Sequence, residues 1–217
     1  MASTADPVPT KTSLEGAYSL KTPEDSVNLY RDWAETYDSG FADKMGYVYA
    51  KNIASVLLEE LDGTTPDVLD IGAGTGLVAQ ELPGLTVDAI DISQEMLDVA
   101  GAKGLYRDRI RADLTQPLDI GDAKYGAMIS AGVFTHGHVG PACLPELMRI
   151  AAPGAVFVLG INSEVFDSAA FGSAFAGLVA DGMIEPVRFR KVACYADADH
   201  DHVDTEIILA AFRRSDP

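Results

Sequence analysis

Val68-Leu69-Asp70-Ile71-Gly72-Ala73-Gly74-Thr75-Gly76 is the stretch that decides the architecture of this chain. A short apolar run ends in close-set glycines, which reads as a strand entering a tight turn, with a helix expected over 77–82. Glycines at such a turn let the backbone approach a ligand, and unpaired N–H groups face it. A phosphate-binding P-loop requires Gly-Lys-Ser/Thr, and no lysine stands here. The dinucleotide fingerprint GxGxxG requires glycine where this chain has Leu77, which counts against a nicotinamide cofactor.

Outward from the loop, strand-like and helix-like segments alternate. Residues 86–91, 105–111, 125–130 and 155–161 read as strands. Ser93 caps a helix to about residue 102, and another spans 141–151. This order predicts βαβ units and a parallel sheet. After a helix over about 167–181, residues 187–195 and 203–212 read as two strands joined by a polar loop, hence antiparallel. Upstream, Thr22 as N-cap, Pro23 at the first helical position and Asp25 three residues after the cap start a helix. It runs through Tyr37 and is expected to end at Asp38-Ser39-Gly40. A second helix presents Met45, Val48, Tyr49, Ile53, Val56, Leu57 and Leu61. The domain plan is an extension over 1–21 and one domain over 22–217. Within it, 22–62 form a helical lid and first helix, and 66–217 a Rossmann-like core.

The 217 residues, 47% of them hydrophobic, suffice for one full core. Sixteen Lys and Arg against 33 Asp and Glu give a net charge of −17, and the few cations form no stripe. Such a surface repels phosphate backbones and anionic lipid, so neither nucleic acid nor membrane is expected as a partner. The two cysteines, Cys143 and Cys194, form no CxxC pair, which excludes zinc-ribbon and thioredoxin-type sites. No secretory pattern opens the chain, and the apolar stretch 151–161 is too short to span a bilayer. A cytoplasmic location is the expectation.

The GxGxG loop with an acid in its strand resembles motif I of the class I S-adenosylmethionine (SAM)-dependent methyltransferases. Other pieces follow in order. Asp91 ends Ala89-Ile90-Asp91-Ile92-Ser93, Ser93-Gln94-Glu95-Met96-Leu97 resembles the family's S-x-x-M-L helix start, and Arg111-Ala112-Asp113-Leu114 resembles the next segment. Ala152-Pro153-Gly154-Ala155 resembles the turn before the fifth strand, without its lysine and second glycine. Tyr30-Arg31-Asp32-Trp33-Ala34-Glu35-Thr36-Tyr37-Asp38 resembles the W-A-x-x-Y-D lid of small-molecule methyltransferases. The loop from Gly132 to Val139 is similar to that of the methyltransferase-like protein of the Williams–Beuren deletion region and its bacterial relatives.

The resemblance implies a seven-stranded, mainly parallel α/β sheet with a terminal antiparallel hairpin. It implies SAM as cofactor, held by Trp33, Tyr37, Asp70, Gly72, Ala73, Gly74, Gly76, Asp91, Ile92, Met96, Asp113, Leu114, Ala131 and Gly132. In this pattern Asp91 accepts the ribose hydroxyls, Met96 meets the adenine, and Asp113 with the Leu114 N–H reads the adenine edge. Trp33, Tyr37 and Tyr49 offer aromatic faces to a sulfonium. The Asn/Asp-Pro-Pro-Tyr/Phe element of nucleic-acid amino methyltransferases is replaced by Ser130-Ala131-Gly132-Val133. The thiolates of arsenite enzymes and the placed carboxylates of metal-dependent catechol enzymes are also missing, which leaves a small-molecule methyl acceptor. His136 is the expected general base, with Tyr37 beside it as a catalytic residue, and Tyr49, His136 and His138 are expected to meet the acceptor. His200 and His202 alternate with aspartates, but no metal is expected there. The rival readings are a non-catalytic SAM-binding or adaptor module and a nicotinamide-linked oxidoreductase. The pattern leaves open monomer or homodimer.

Overall fold

β1 (Val68–Ile71) lies at the middle of the sheet, paired in parallel with β2 (Val87–Asp91) on one side and β4 (Tyr125–Phe134) on the other. The computed structural model describes residues 12, 16, 17, 20, 22–42, 45–196 and 205–216. With β3 (Arg109–Arg111), β5 (Ala151–Asn162), β6 (Arg188–Ala193) and β7 (Glu206–Arg213), the strand order is β3-β2-β1-β4-β5-β7-β6. β7 runs antiparallel to both β5 and β6. An all-parallel dinucleotide-binding sheet has no such insertion, so the hairpin separates the two architectures.

The central strands read as unbroken apolar runs because both faces are covered. Val68, Ala127, Ile129, Val156 and Val158 point into one core, together with Ile53, Leu57 and Leu97 of the helices α2 (Tyr49–Leu61) and α4 (Gln94–Ala102). Leu69, Ile71, Met128, Phe157 and Leu159 point into the other, against α5 (Leu144–Ile150) and α7 (Phe171–Ala180). Phe157 stacks on Phe212 at 4.8 Å, which ties the hairpin to the parallel part. β6 forms an edge of the sheet. Its Arg188 and Arg190 pair with Glu60 and Glu59 of α2, and Lys191 with Glu206 of β7, a charged edge of the kind that discourages further strand pairing.

α1 (Pro23–Trp33) starts as its sequence predicts. The Asp25 N–H donates to Thr22 Oγ1 at 3.2 Å and the Thr22 N–H donates back to Asp25 Oδ2 at 3.0 Å, a reciprocal capping box. Asp38-Ser39-Gly40 does not end the winding. A 3₁₀ turn (Ala34–Thr36) and a π-helical turn (Tyr37–Ala42) continue it, and α2 begins later than predicted, at Tyr49. The third strand is confined to Arg109–Arg111, because Tyr106 turns inward to donate its hydroxyl to Asp70 at 2.6 Å. The helix expected over about 167–181 starts late, as α7, after Ala170 in the left-handed region, and a separate short helix, α6 (Ser163–Phe166), precedes it. The remaining short helix, α3 (Leu77–Gln80), follows the glycine loop.

Candidate functional site

A cleft opens at the carboxyl ends of β1, β2 and β4, where ligands bind in open α/β sheets. Its floor is the loop after β1. Gly72 and Gly74 have φ of +67° and +53°, and a Cβ on Gly74 would meet no atom within 4 Å. Gly132, at φ +93° in the irregular end of β4, is equally bare. Two stretches of backbone thus face the cleft with no side chain, a cradle suited to a close-fitting ligand. Gly72 has a different role. A Cβ there would lie 1.8 Å from Val133 Cγ2, so the residue lets β4 cross the loop. Gly72→Ala adds both overlap and a strained φ, and is expected to cost about 2–3 kcal/mol of stability, read as a lower urea midpoint at unchanged m-value.

Asp91 closes the cleft from β2. Its Oδ2 accepts from the Gly74 N–H and its Oδ1 from the Ser93 N–H, both at 2.8 Å. Burial pushes its carboxyl above the ordinary range, opposed by the N–H groups of Ser93, Gly74 and Ile92. The same carboxylate therefore holds the glycine loop in register and faces the ligand. Met96, 1% exposed, forms one wall, its N–H capped by Ser93 Oγ. Asp113 lines the far end with Leu114, and Asp113 Oδ1 accepts from the backbone and hydroxyl of Thr115.

Over the cleft lies the lid. Asp38 ties it down, accepting from Thr75 Oγ1 and from Lys103 Nζ, each at 2.5 Å. Tyr30 and Tyr37 of the lid face the cleft as well as a second cavity beside it. The two cavities share Tyr30, Tyr37, Tyr47, Gly132 and His138 as a common wall. In that wall His138 Nδ1 lies 2.7 Å from the His136 carbonyl, so this nitrogen carries the proton. Nε2 is then the acceptor for the Tyr30 hydroxyl, 3.1 Å away. Burial holds the His138 pKa below the ordinary imidazole range, so the ring is a neutral base at pH 7.

Of the residues expected to hold a cofactor, Tyr37, Gly72, Ala73, Gly74, Asp91, Ile92, Met96, Asp113, Leu114, Ala131 and Gly132 come together on the cleft wall. Trp33 lies in the second cavity instead, stacked with Tyr30 and edge-on to Tyr37. Asp70 and Gly76 lie outside both linings. Asp70 is wholly buried, its carboxyl pushed up to about 7 by desolvation, and it anchors Tyr106. Gly76 makes room for the Tyr106 ring, 3.1 Å from where its Cβ would be. Tyr49 lines the second cavity.

His136, the base expected from sequence, is placed outside both linings, with its Nε2 3.3 Å from Glu164. Ser130 is also turned away, donating to the Ile71 carbonyl within the sheet. Tyr30, Tyr47, Asn162 and Tyr195 line the cavities although sequence reasoning did not single them out as site residues. Only Tyr30 carried a signal, its place one helical turn before Trp33. His200 and His202 lie outside the described residues, and among the described residues no His, Cys, Asp and Glu cluster could hold a metal ion. No helix among them is long and apolar enough to cross a membrane.

Residues 69–159 match a family model described as Methyltransferase domain. Among curated protein sequences none matches the chain. Among solved structures, the Burkholderia thailandensis 1,6-didemethyltoxoflavin-N1-methyltransferase, with 1,6-didemethyltoxoflavin and S-adenosylhomocysteine bound, superposes with a TM-score of 0.59. Its identity is 18%, over 91% of this chain and 92% of its own. A SAM-dependent methyltransferase from Thermotoga maritima gives 0.61 at 13% identity, over 88% and 99% of the two chains. The [4+2]-cyclase SpnF gives 0.68 at 13% identity, over 91% and 98%. At these identities the likeness is one of fold, and the cyclase shows that this fold hosts more than one reaction.

Strand order and terminal hairpin give the chain the fold of the class I SAM-dependent methyltransferases, and its residues 69–159 match the methyltransferase domain model. S-adenosyl-L-methionine is the cofactor of that domain, and the bare glycines and the Asp91 carboxylate are suited to hold it.

Proposed function

We propose that this protein methylates an O–H or N–H group of a small organic molecule. The observation that carries this reading is the shared wall of the two cavities, in which a neutral histidine is hydrogen-bonded to a tyrosine that faces both. One cavity suits the cofactor, and the other, under the lid, suits the acceptor. When bound, S-adenosyl-L-methionine supplies a sulfonium methyl, so that the acceptor heteroatom bonds to the methyl carbon while the carbon–sulfur bond breaks and its electron pair stays on sulfur.

The chain's own residues then position, enclose and move one proton. Asp91 and the glycine loop fix the cofactor end, and Tyr37 offers its ring at the junction. The acceptor proton passes to the Tyr30 oxygen as the Tyr30 proton passes to His138 Nε2, and the resulting imidazolium keeps its Nδ1–H on the His136 carbonyl. This reading moves the base from His136 to His138. Around His138 stand the Tyr30 hydroxyl from α1 and the His136 ring from its own loop, and the latter also disfavours a positive charge on His138.

Calorimetric titration with S-adenosylhomocysteine, followed by methyl-transfer assays from labelled SAM over an acceptor panel, tests the proposal. Affinity near the micromolar range, about −8 kcal/mol, and measurable turnover are expected. The acid limb of turnover should lie below the ordinary imidazole range, because burial lowers the His138 pKa and the ring must be neutral to accept a proton. His138→Asn should lower kcat by about 10²-fold or more and flatten that limb. Cofactor binding with no turnover on any acceptor, or an unchanged pH profile in His138→Asn, would remove the catalytic reading.

A further inference from the structure

The lid turns one polar side chain towards the cleft without a hydrogen-bond partner of its own. Ser26 of α1 is 5% exposed and lines the cleft. A helical serine often turns its hydroxyl back to the carbonyl four residues earlier. Here the Thr22 carbonyl accepts the Ser26 N–H, at 3.2 Å, and among the described residues none hydrogen-bonds to the hydroxyl. Unlike the Tyr49 hydroxyl, this one is not sealed off from the space beside it. A ligand that fills the cleft displaces water from such a hydroxyl, and so must itself supply the partner.

The course of the lid says which part of the cleft Ser26 meets. At one end Asp38 is held by Lys103, the C-cap of α4. From there α1 packs along α4 back towards Met96 in its first turn. Twelve residues lie between Asp38 and Ser26, roughly 18 Å at the helical rise, so the two mark opposite ends of the lid. The chain enters α1 over Gly137, where a Cβ would lie 1.7 Å from the Leu20 carbonyl oxygen, so bare backbone at that point admits it. Near Met96 the cleft is an apolar slot of Ile92, Met96, Ala112 and Leu114, suited to a flat purine. Ser26 is therefore set at the purine end, one helical turn from Tyr30 on the same face of α1.

We infer that Ser26 is a cofactor-binding residue whose hydroxyl hydrogen-bonds to the nucleoside half of S-adenosyl-L-methionine, so that the lid closes on the cofactor itself. This rests on the cleft being the cofactor site. Wild-type protein and Ser26→Ala are titrated by calorimetry with S-adenosylhomocysteine and with 5′-methylthioadenosine, which keeps the nucleoside and lacks the amino-acid part.

Ser26→Ala is expected to bind both ligands about fivefold more weakly, the worth of one neutral hydrogen bond. Alanine is the better helix former and no bond within the chain is lost, so the urea midpoint should be unchanged or higher. Equal affinities in the two proteins, or a loss confined to S-adenosylhomocysteine, overturns the inference. A lower urea midpoint in Ser26→Ala also overturns it, because the hydroxyl would then serve the fold. Wild-type protein that binds S-adenosylhomocysteine but not millimolar 5′-methylthioadenosine overturns the nucleoside assignment alone. Failure of wild-type protein to bind S-adenosylhomocysteine overturns the reading of the cleft and this inference with it.

Discussion

Asp91→Ala is expected to weaken S-adenosylhomocysteine binding by about a hundredfold, some 2.7 kcal/mol, while the protein still folds. Two backbone N–H groups converge on this one carboxylate, from Gly74 and Ser93. Bonds of that kind to a charged acceptor are worth about 1.5–3 kcal/mol each. Truncation releases the loop that must present bare backbone to the ligand and also removes the carboxylate facing it. The fold survives because desolvation of the buried carboxylate already works against its ionised form, so losing it relieves one cost as it incurs another. Asp91→Asn keeps the volume and one acceptor oxygen, and about a tenfold loss is expected. Calorimetry gives both affinities, and a urea titration of each variant reports the fold. Wild-type affinity in Asp91→Ala would place the ligand elsewhere.

Asp70→Asn is expected to act in the opposite sense on stability. Asp70 is wholly buried at the end of β1, with Tyr106 donating to one oxygen and Asp91 nearby adding repulsion. Desolvation lifts its pKa from 3.8 to about 7. In the unfolded chain it ionises near its ordinary value, so between those limits the folded state holds the extra proton. The stability it contributes is therefore full below about pH 4 and is lost as pH rises through 7. About three pH units at 1.36 kcal/mol each set a ceiling of roughly 4 kcal/mol, and 2–4 kcal/mol is expected. Asparagine keeps an oxygen for Tyr106 and carries no charge. Urea midpoints should show Asp70→Asn more stable than wild type at pH 8, with the difference shrinking towards pH 4. A difference constant with pH would mean that Asp70 is not the titrating group.

The glycine loop, Asp91, Met96 and the Asp113-Leu114 pair were legible in the sequence because each is local. A strand must stop, a turn must reach positive φ and a helix must be capped, and neighbouring residues set all three. The capping box of α1 was legible for the same reason. The histidines show where locality ends. Two positions apart in one loop, His136 and His138 are equivalent as residue types, yet the loop turns one towards Glu164 and the other beneath Tyr30. Trp33 likewise belongs to a lid motif, but packing against Tyr30 and Tyr37 places it in the second cavity and not in the cleft of the glycine loop. The late start of the third strand had its cause 36 positions away, in the Tyr106–Asp70 hydrogen bond.

By itself the sequence determined the α/β class, the parallel order with its terminal hairpin and the cofactor edge of the sheet, since these follow from hydrophobic period and turn chemistry along the chain. Tertiary structure alone decided which histidine meets Tyr30 in the shared wall, which rings line the second cavity and that the Tyr49 hydroxyl rests over Gly160. Those choices depend on contacts between segments more than a hundred residues apart, as in the Tyr30–His138 pair, and the packing of the sheet, not the local order of residues, brings such segments together.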